Sequence, residues 1–244
     1  METQVKKMKN IAIVAHVDHG KTTLVDAILK QSQTFDERAE IVDRIMDSGE
    51  IEKERGITIT AKNCAFKWKD YKINLLDTPG HADFGGEVER SLMMVDGILL
   101  LVDASEGCLP QTRFVLSKAL EQDLKIGVVI NKIDRPDERI SEVIGEIEDL
   151  FLDLVTMLDK DDYDLDVPIY FASAKEGYAK VALQDENTNL HPLLDFMISD
   201  FFPAPKVQTG ENLQLLVTNL TYCSYLGAQL IGRIQRGVVK KHSQ

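Results

Sequence analysis

Short segments rich in apolar residues alternate along the chain with stretches in which apolar residues recur every three or four positions. The short segments are typical of buried strands and lie at 11–14, 72–76, 97–102, 126–130 and 167–172. The helical periodicity lies at 21–30, 88–95, 110–120, 140–158 and 190–202. Strands that alternate with helices predict an α/β fold with a mostly parallel sheet flanked by helices.

The pattern changes after Pro205, where strand-like segments at 213–217 and 229–234 follow each other without a helix between them. Roughly forty residues are fewer than an independent domain normally needs. We therefore predict one domain at residues 1–203 and, at 204–244, the beginning of a β-domain that the chain does not complete.

Residues 15–23 (AHVDHGKTT) lie between the first predicted strand and the first helix, which is the context of a phosphate-binding loop. They match the pattern G-x-x-x-x-G-K-[ST] except at its first position, where Ala15 stands. Gly20 allows the backbone to approach a ligand, and the helix N-terminus attracts anions. Lys21 would contact the outer phosphates, and the Thr22 hydroxyl could ligate Mg²⁺. The alternative is an ordinary turn between a strand and a helix.

Asn131-Lys132-Ile133-Asp134 follows a buried strand and suits recognition of guanine. The Asp134 carboxylate can accept hydrogen bonds from two adjacent N–H groups of guanine, whereas adenine would leave it unpaired. Asn131 could reach N7 of the base, and the Lys132 stem could cover the ring face. Alone, such a tetrapeptide is more often a helix cap. Ser173-Ala174-Lys175 follows the last core strand and is placed for a backbone contact to the base carbonyl.

The segment 77–81 (DTPGH) suits a sensor of the γ-phosphate. Asp77 can hold Mg²⁺ through water, the Gly80 N–H can bond the γ-phosphate, and His81 could orient or activate the attacking water. The charged segment 31–56 precedes Thr58, which is a second candidate ligand of Mg²⁺ or simply the start of a strand. A connection of that length is usually functional, and γ-phosphate contacts would order it.

The phosphate loop, Asp77, Asn131 and Ser173 each come directly after a predicted strand. Because ligands of parallel-sheet folds bind at the carboxyl ends of the strands, we expect these residues to meet at one edge of the sheet.

The composition excludes several classes of protein. The formal net charge of −12 is unusual for a protein that meets nucleic acid, so any RNA-facing patch must be local or belong to further sequence. Three scattered cysteines indicate neither a disulfide framework nor a zinc site. The first apolar run is too short for a signal peptide or a membrane span, so we predict a cytoplasmic protein without a membrane partner.

Five strings, in their order and spacing, resemble the translational GTPases over most of residues 1–203. The strings are AHVDHGKTT, RGITIT, DTPGH, NKID and SAK. Flanking strings such as MDSGEIEKERGITITAKN resemble one ribosome-associated subgroup of that family, and GRIQRG is similar to the opening of the family's second domain. The resemblance implies a P-loop GTPase domain followed by an incomplete β-barrel domain.

The resemblance also implies which residues bind GTP or GDP. These are Asp18, His19, Gly20, Lys21, Thr22 and Thr23 on the phosphate side, and Asn131, Lys132, Asp134, Ser173, Ala174 and Lys175 on the base side. Mg²⁺ would be held by Thr22, Thr58 and Asp77.

The catalytic groups implied in the same way are His81, Lys21 and Gly80, with His81 positioning the water. Val17 and Ile57 match two apolar residues that gate this histidine, although both could simply be packing residues. Asp18 matches a position linked to a monovalent cation.

The predicted function is hydrolysis of GTP to GDP and phosphate, coupled to a conformational switch on the ribosome. A monomer would contact rRNA and ribosomal proteins mainly through domains missing from this chain. A second reading is a GTP- and GDP-sensing assembly or docking factor in which hydrolysis is only a reset. A third reading, an ATPase or small-molecule kinase, is opposed by Asn131 and Asp134.

Overall fold

The computed structural model describes residues 5–32, 62–79, 85–160, 163–206, 208, 212–223, 225 and 227–240. Within these ranges the chain forms a seven-stranded sheet packed between helices and a separate two-stranded hairpin. The predicted α/β architecture with a mostly parallel sheet is confirmed, and a second sheet begins near the end of the chain.

The strands of the large sheet are β1 (Met8–Ala15), β2 (Lys62–Trp68), β3 (Tyr71–Asp77), β4 (Gly97–Asp103), β5 (Lys125–Asn131), β6 (Ile169–Ser173) and β7 (Tyr178–Lys180). The helices are α1 (Lys21–Gln31), α2 (Gly85–Leu92), α3 (Pro110–Glu121), α4 (Ile140–Met157) and α5 (His191–Ile198). The hairpin consists of β8 (Gln214–Cys223) and β9 (Gly227–Arg236).

The strand order is β2-β3-β1-β4-β5-β6-β7. The five inner strands, from β3 to β6 in this order, pair in parallel, and each of the two outermost strands, β2 and β7, is antiparallel to its neighbour. All parallel strands therefore end at the same edge of the sheet. Their last residues are Ala15, Asp77, Asp103, Asn131 and Ser173.

The central strand β4 is buried along its whole length because helices cover both faces of the sheet. Ile98 and Leu100 lie in the core that contains α3 and α4, whereas Leu99 and Leu101 lie in the core that contains α1 and α5. Successive residues of a strand point to opposite faces, so a strand buried on both faces is continuously apolar. This explains why the pattern predicted β4 so well.

The predicted helix at 190–202 ends earlier, at Ile198. Ser199 has extended backbone, and the buried Lys9 Nζ donates hydrogen bonds to the carbonyl oxygens of Ser199 (2.8 Å) and Phe202 (2.5 Å). The chain therefore leaves the helix so that Phe202 can enter the core, where it is fully buried. Periodicity alone could not show this, because Lys9 is distant in sequence.

In the hairpin, β8 starts one residue after the strand predicted at 213–217 and continues to Cys223, and β9 extends beyond the strand predicted at 229–234 at both ends. The hairpin contacts the segment that leads into β4: Arg233 donates a hydrogen bond to the Val95 carbonyl oxygen at 3.0 Å, and the Thr218 hydroxyl lies 2.7 Å from the Met94 Sδ. The short strand β7 was not predicted. The division of the chain between residues 203 and 204 remains a prediction.

Among the helices in the described ranges, none combines the length and the apolar content that a bilayer crossing requires.

Candidate nucleotide site

The phosphate loop runs from the end of β1 to Gly20, which precedes α1 with φ 89°. Asp18 also has positive φ, at 64°. The first N–H groups of a helix have no partner within the helix, and no side chain in the described ranges caps those of α1. The first turn of α1 also contains no acidic residue. This N-terminus is therefore suited to an anion.

Asn131 is the first residue of the base loop (131–134), and it connects this loop to the phosphate loop and to the loop after β6. Its Nδ2 donates a hydrogen bond to the His19 carbonyl oxygen at 2.9 Å, and its Oδ1 accepts one from the Ala174 N–H at 2.9 Å. A Cβ at Gly20 would lie 2.5 Å from Asn131 Nδ2, so only glycine fits this approach. The amide nitrogen of Asn131 carries a second hydrogen, which leaves one donor for the predicted N7 contact.

Lys21 and Asp77 meet where the phosphate loop passes the end of β3. The Lys21 Nζ donates hydrogen bonds to Asp77 Oδ1 and to the Thr78 carbonyl oxygen, and both charged side chains are buried. Thr22 is half-buried in the first turn of α1. Mg²⁺ prefers oxygen ligands and typically uses one or two side chains together with phosphates and water, so Thr22 and Asp77 fit this ion. Thr58 lies outside the described residues.

The His19 side chain is fully buried and points into the protein. Its Nδ1 lies 3.3 Å from both the Leu101 carbonyl oxygen and the Asp103 amide nitrogen, and its Nε2 lies 3.4 Å from Glu106. Burial lowers the pKa of His19, although the Leu101 carbonyl and the carboxylates of Glu106 and Asp103 act in the opposite direction. The His19 side chain is therefore directed away from the predicted nucleotide, and a contact between the His19 backbone and the nucleotide stays a prediction.

Asp103 and Lys132 form an ion pair that the sequence analysis did not predict. The Asp103 carboxylate is fully buried, and its Oδ2 lies 2.6 Å from Lys132 Nζ. Its Oδ1 accepts hydrogen bonds from the Ser105 N–H (2.7 Å) and hydroxyl (2.8 Å). Burial acts to raise the pKa of Asp103, but Lys132 and Ser105 together lower it well below its usual range. One signal was available: Asp103 ends its strand just as Asp77 and Asn131 end theirs.

Asp134 is exposed at the edge of a cleft of about 740 Å³. Lys175 is also exposed, with its Nζ 3.9 Å from Glu176. Ser173 is buried, and its hydroxyl accepts a hydrogen bond from the Glu176 N–H at 3.2 Å. The Ala174 N–H is bonded to Asn131 Oδ1, so the predicted backbone contact to the base carbonyl stays a prediction for another group of this loop.

The remaining predicted residues divide into two groups. Val17 is half-buried, while Asp18 and Thr23 are exposed at the phosphate loop and the first turn of α1. Ile57, Thr58, Gly80 and His81 lie outside the described residues, so the gate, the second magnesium ligand and the catalytic pair remain predictions.

Comparison with known families gives a match to the elongation factor Tu GTP binding domain over residues 6–203. The large ribosomal subunit assembly factor BipA of Escherichia coli strain K12 is 54% identical over 240 residues, which are 98% of this chain and 39% of that protein. BipA of Bacillus subtilis strain 168 is 52% identical over 237 residues, or 97% of this chain and 38% of that protein. The resemblance to a ribosome-associated subgroup is thus confirmed, although the chain spans only about two fifths of these relatives.

Among solved structures, a bacterial selenocysteine-specific elongation factor, EF-Sec, is similar with a TM-score of 0.66 and 23% identity. The similarity covers 95% of this chain and 35% of that one, and it supports the fold alone. The family match includes the phosphate loop, the base loop and the loop after β6. The chain therefore belongs to the family of elongation factor Tu GTP-binding domains.

Proposed function

We propose that this chain binds GTP with Mg²⁺, hydrolyses it to GDP and phosphate, and switches conformation while associated with the large ribosomal subunit. The observation that carries the proposal is the arrangement of loops at one sheet edge, with Asn131 bonded to both the phosphate loop and the loop after β6. The ribosomal subunit is proposed from the names of the BipA relatives.

The phosphates would be held by the N–H groups at the start of α1 and by Lys21. In the structure Lys21 is bonded to Asp77, so a phosphate would compete with that carboxylate for the ammonium group. With the lysine at the phosphates, Asp77 would lie on the magnesium side. Mg²⁺, held by Thr22, Thr58 and Asp77, would supply neutralisation of phosphate charge.

Guanine selectivity is proposed to come from Asp134, since its carboxylate can accept both adjacent N–H groups of guanine. Replacement Asp134→Asn should transfer preference from GTP toward XTP, because the amide offers a donor where xanthine has a carbonyl. Competition binding with GTP, XTP and ATP measures this. An unchanged preference for GTP would contradict the assignment, and equal binding of ATP would favour the ATPase reading.

Hydrolysis is proposed to proceed by attack of a water that His81 positions, with the Gly80 N–H at the γ-phosphate and no covalent intermediate. We expect slow turnover alone and stimulation by large ribosomal subunits. His81→Ala should lower the stimulated rate by about 10²-fold or more while GTP still binds. Retained assembly activity in this variant would show instead that hydrolysis is only a reset.

We propose that a β-barrel domain begins at residue 204, that the protein is a cytoplasmic monomer, and that Asp18 serves a monovalent cation. Val17 and Ile57 would flank His81 as an apolar gate.

A further inference from the structure

Asp103 ends β4 at the same sheet edge as the residues of the proposed nucleotide site, but none of the predicted roles includes it. Its carboxylate is fully buried, and a buried carboxylate is costly unless it is paired. The Asp103 carboxylate is paired with Lys132 Nζ at 2.6 Å, so the ammonium group of the base-loop lysine lies at the end of β4.

Lys132 spans the distance between the base loop and β4. Its backbone has positive φ, at 64°, which directs the chain into the base loop. On the way its Cε passes Gly20, since it would lie 3.9 Å from a Cβ at that residue. The lysine stem is therefore fixed at both ends, by its backbone and by Asp103, and it lies beside the phosphate loop.

Asp103 also reaches the phosphate loop directly, because its backbone nitrogen lies 3.3 Å from His19 Nδ1. A single residue thus contacts both the phosphate loop and the lysine of the base loop. The pair is only partly accessible to water, with Lys132 exposed by 26% and Asp103 by 0%. Such a pair is screened less than one on the surface.

We propose that Asp103 is a positioning residue for nucleotide binding, because its carboxylate holds the Lys132 ammonium so that the lysine stem forms one wall of the base site. This inference rests on the proposed GTP-binding function. It adds a residue on β4 to a site otherwise made by loops after β1, β3, β5 and β6.

A purely structural role for Asp103 is the competing explanation, since its Oδ1 also accepts the N–H groups of Ser105 and Glu106 and so stabilises the turn after β4. Replacement Asp103→Asn separates the two roles. The amide oxygen can still accept both N–H groups, whereas the NH₂ group cannot pair with an ammonium.

The experiment is a double-mutant cycle on the 244-residue chain with Asp103→Asn, Lys132→Met and the double variant. Fluorescent GDP and IDP analogues are titrated in the presence of Mg²⁺, and folding of each variant is checked by thermal unfolding. Asp96→Asn is the matched control, because Asp96 is also ion-paired but lies just before β4, at the opposite edge of the sheet. We expect the control to leave GDP affinity unchanged.

Asp103→Asn should weaken GDP binding roughly ten- to hundredfold, as expected when one charge of a partly buried ion pair is removed. Lys132→Met should have a similar effect. The double variant should bind GDP with an affinity no lower than that of the single variant that binds it less tightly. The affinity of the variants for GDP and for IDP should fall by the same factor, because IDP differs from GDP only in lacking the amino group that Asp134 is proposed to bind. A disturbed base loop would instead erase the preference for GDP over IDP.

Three outcomes would overturn the inference: an Asp103→Asn variant that binds GDP like the unchanged chain, losses that multiply in the double variant, or an erased preference for GDP over IDP. If Asp103→Asn does not fold, Asp103→Ser takes its place, since a hydroxyl still accepts an N–H and cannot form the ion pair. Absence of GDP binding by the unchanged chain would refute the proposed function itself, so the two failures are distinguishable.

Discussion

Gly20 is a residue of the phosphate loop at which a side chain does not fit. Its φ of 89° is strained for any residue with a Cβ, and that Cβ would lie 2.5 Å from Asn131 Nδ2. Gly20→Ala should therefore displace Asn131 and break its hydrogen bond to the His19 carbonyl. We expect a loss of about 1–3 kcal/mol in the free energy of unfolding, measured in urea, and weaker GDP binding. Unchanged stability would contradict the close approach of the two loops.

His19 should make stability depend on pH. Burial lowers its pKa in the folded state below the ordinary value of 6.5, so near and below that pH the unfolded chain binds more protons than the folded one. Stability therefore falls as the pH drops below about 6.5. The free energy of unfolding measured between pH 7.5 and 5.5 should show this slope. His19→Asn, which cannot take up the proton, should flatten it, and an equal slope in both chains would refute the assignment.

At the residue scale, the motifs led to predictions for single residues, whereas contacts that depend on the fold were not predicted. Lys21 and Asp134 stand in patterns whose chemistry is recognisable from residue type and spacing. Asp103 stands in no such pattern, and its partner Lys132 reaches it only because β4 and β5 are neighbours in the sheet. The buried direction of the His19 side chain was unpredictable for the same reason.

At the scale of elements, α5 packs closely on the sheet because β5 has a glycine beneath it. A Cβ at Gly127 would lie 2.6 Å from Cε1 of the Phe196 ring. Gly127→Ala should force the helix away and lower the free energy of unfolding by about 1–3 kcal/mol. Denaturant unfolding measures this.

The matched control for that substitution is Gly145→Ala, in α4. A Cβ at Gly145 would have no neighbour within 4 Å, and alanine is the better helix former, so we expect a gain of about 0.5–1 kcal/mol. Similar effects of the two substitutions would show that close helix packing does not decide the cost at Gly127.

Helices and strands were predicted correctly where their own apolar pattern determines them, and they were missed where contacts with residues distant in sequence determine them. The runs of β4 and β5 are apolar because both sheet faces are covered, and α4 has the clearest helical periodicity. The early end of α5 depends on Lys9, which caps carbonyls far along the chain. The short strand β7 depends on antiparallel pairing with β6 rather than on its own pattern.

At the scale of the whole molecule, the hairpin is joined to the large sheet through Arg233. Its guanidinium forms an ion pair with Asp96, whose carboxylate also accepts a hydrogen bond from Asn10 at 2.9 Å. A double-mutant cycle of Arg233→Gln and Asp96→Asn should give a coupling of about 1 kcal/mol in unfolding free energy, since both side chains are mostly buried. Strictly additive losses would contradict a direct link.

The proposed function requires that the sheet edge formed by the phosphate loop, Asn131 and Asp134 binds a guanine nucleotide. Calorimetric titration of the chain with GDP and with ADP, both in the presence of Mg²⁺, tests this most directly. We predict tight binding of GDP and no detectable binding of ADP, because the Asp134 carboxylate is proposed to accept two adjacent N–H groups that guanine has and adenine lacks. Equal binding of both nucleotides, or binding of neither, would contradict the central claim.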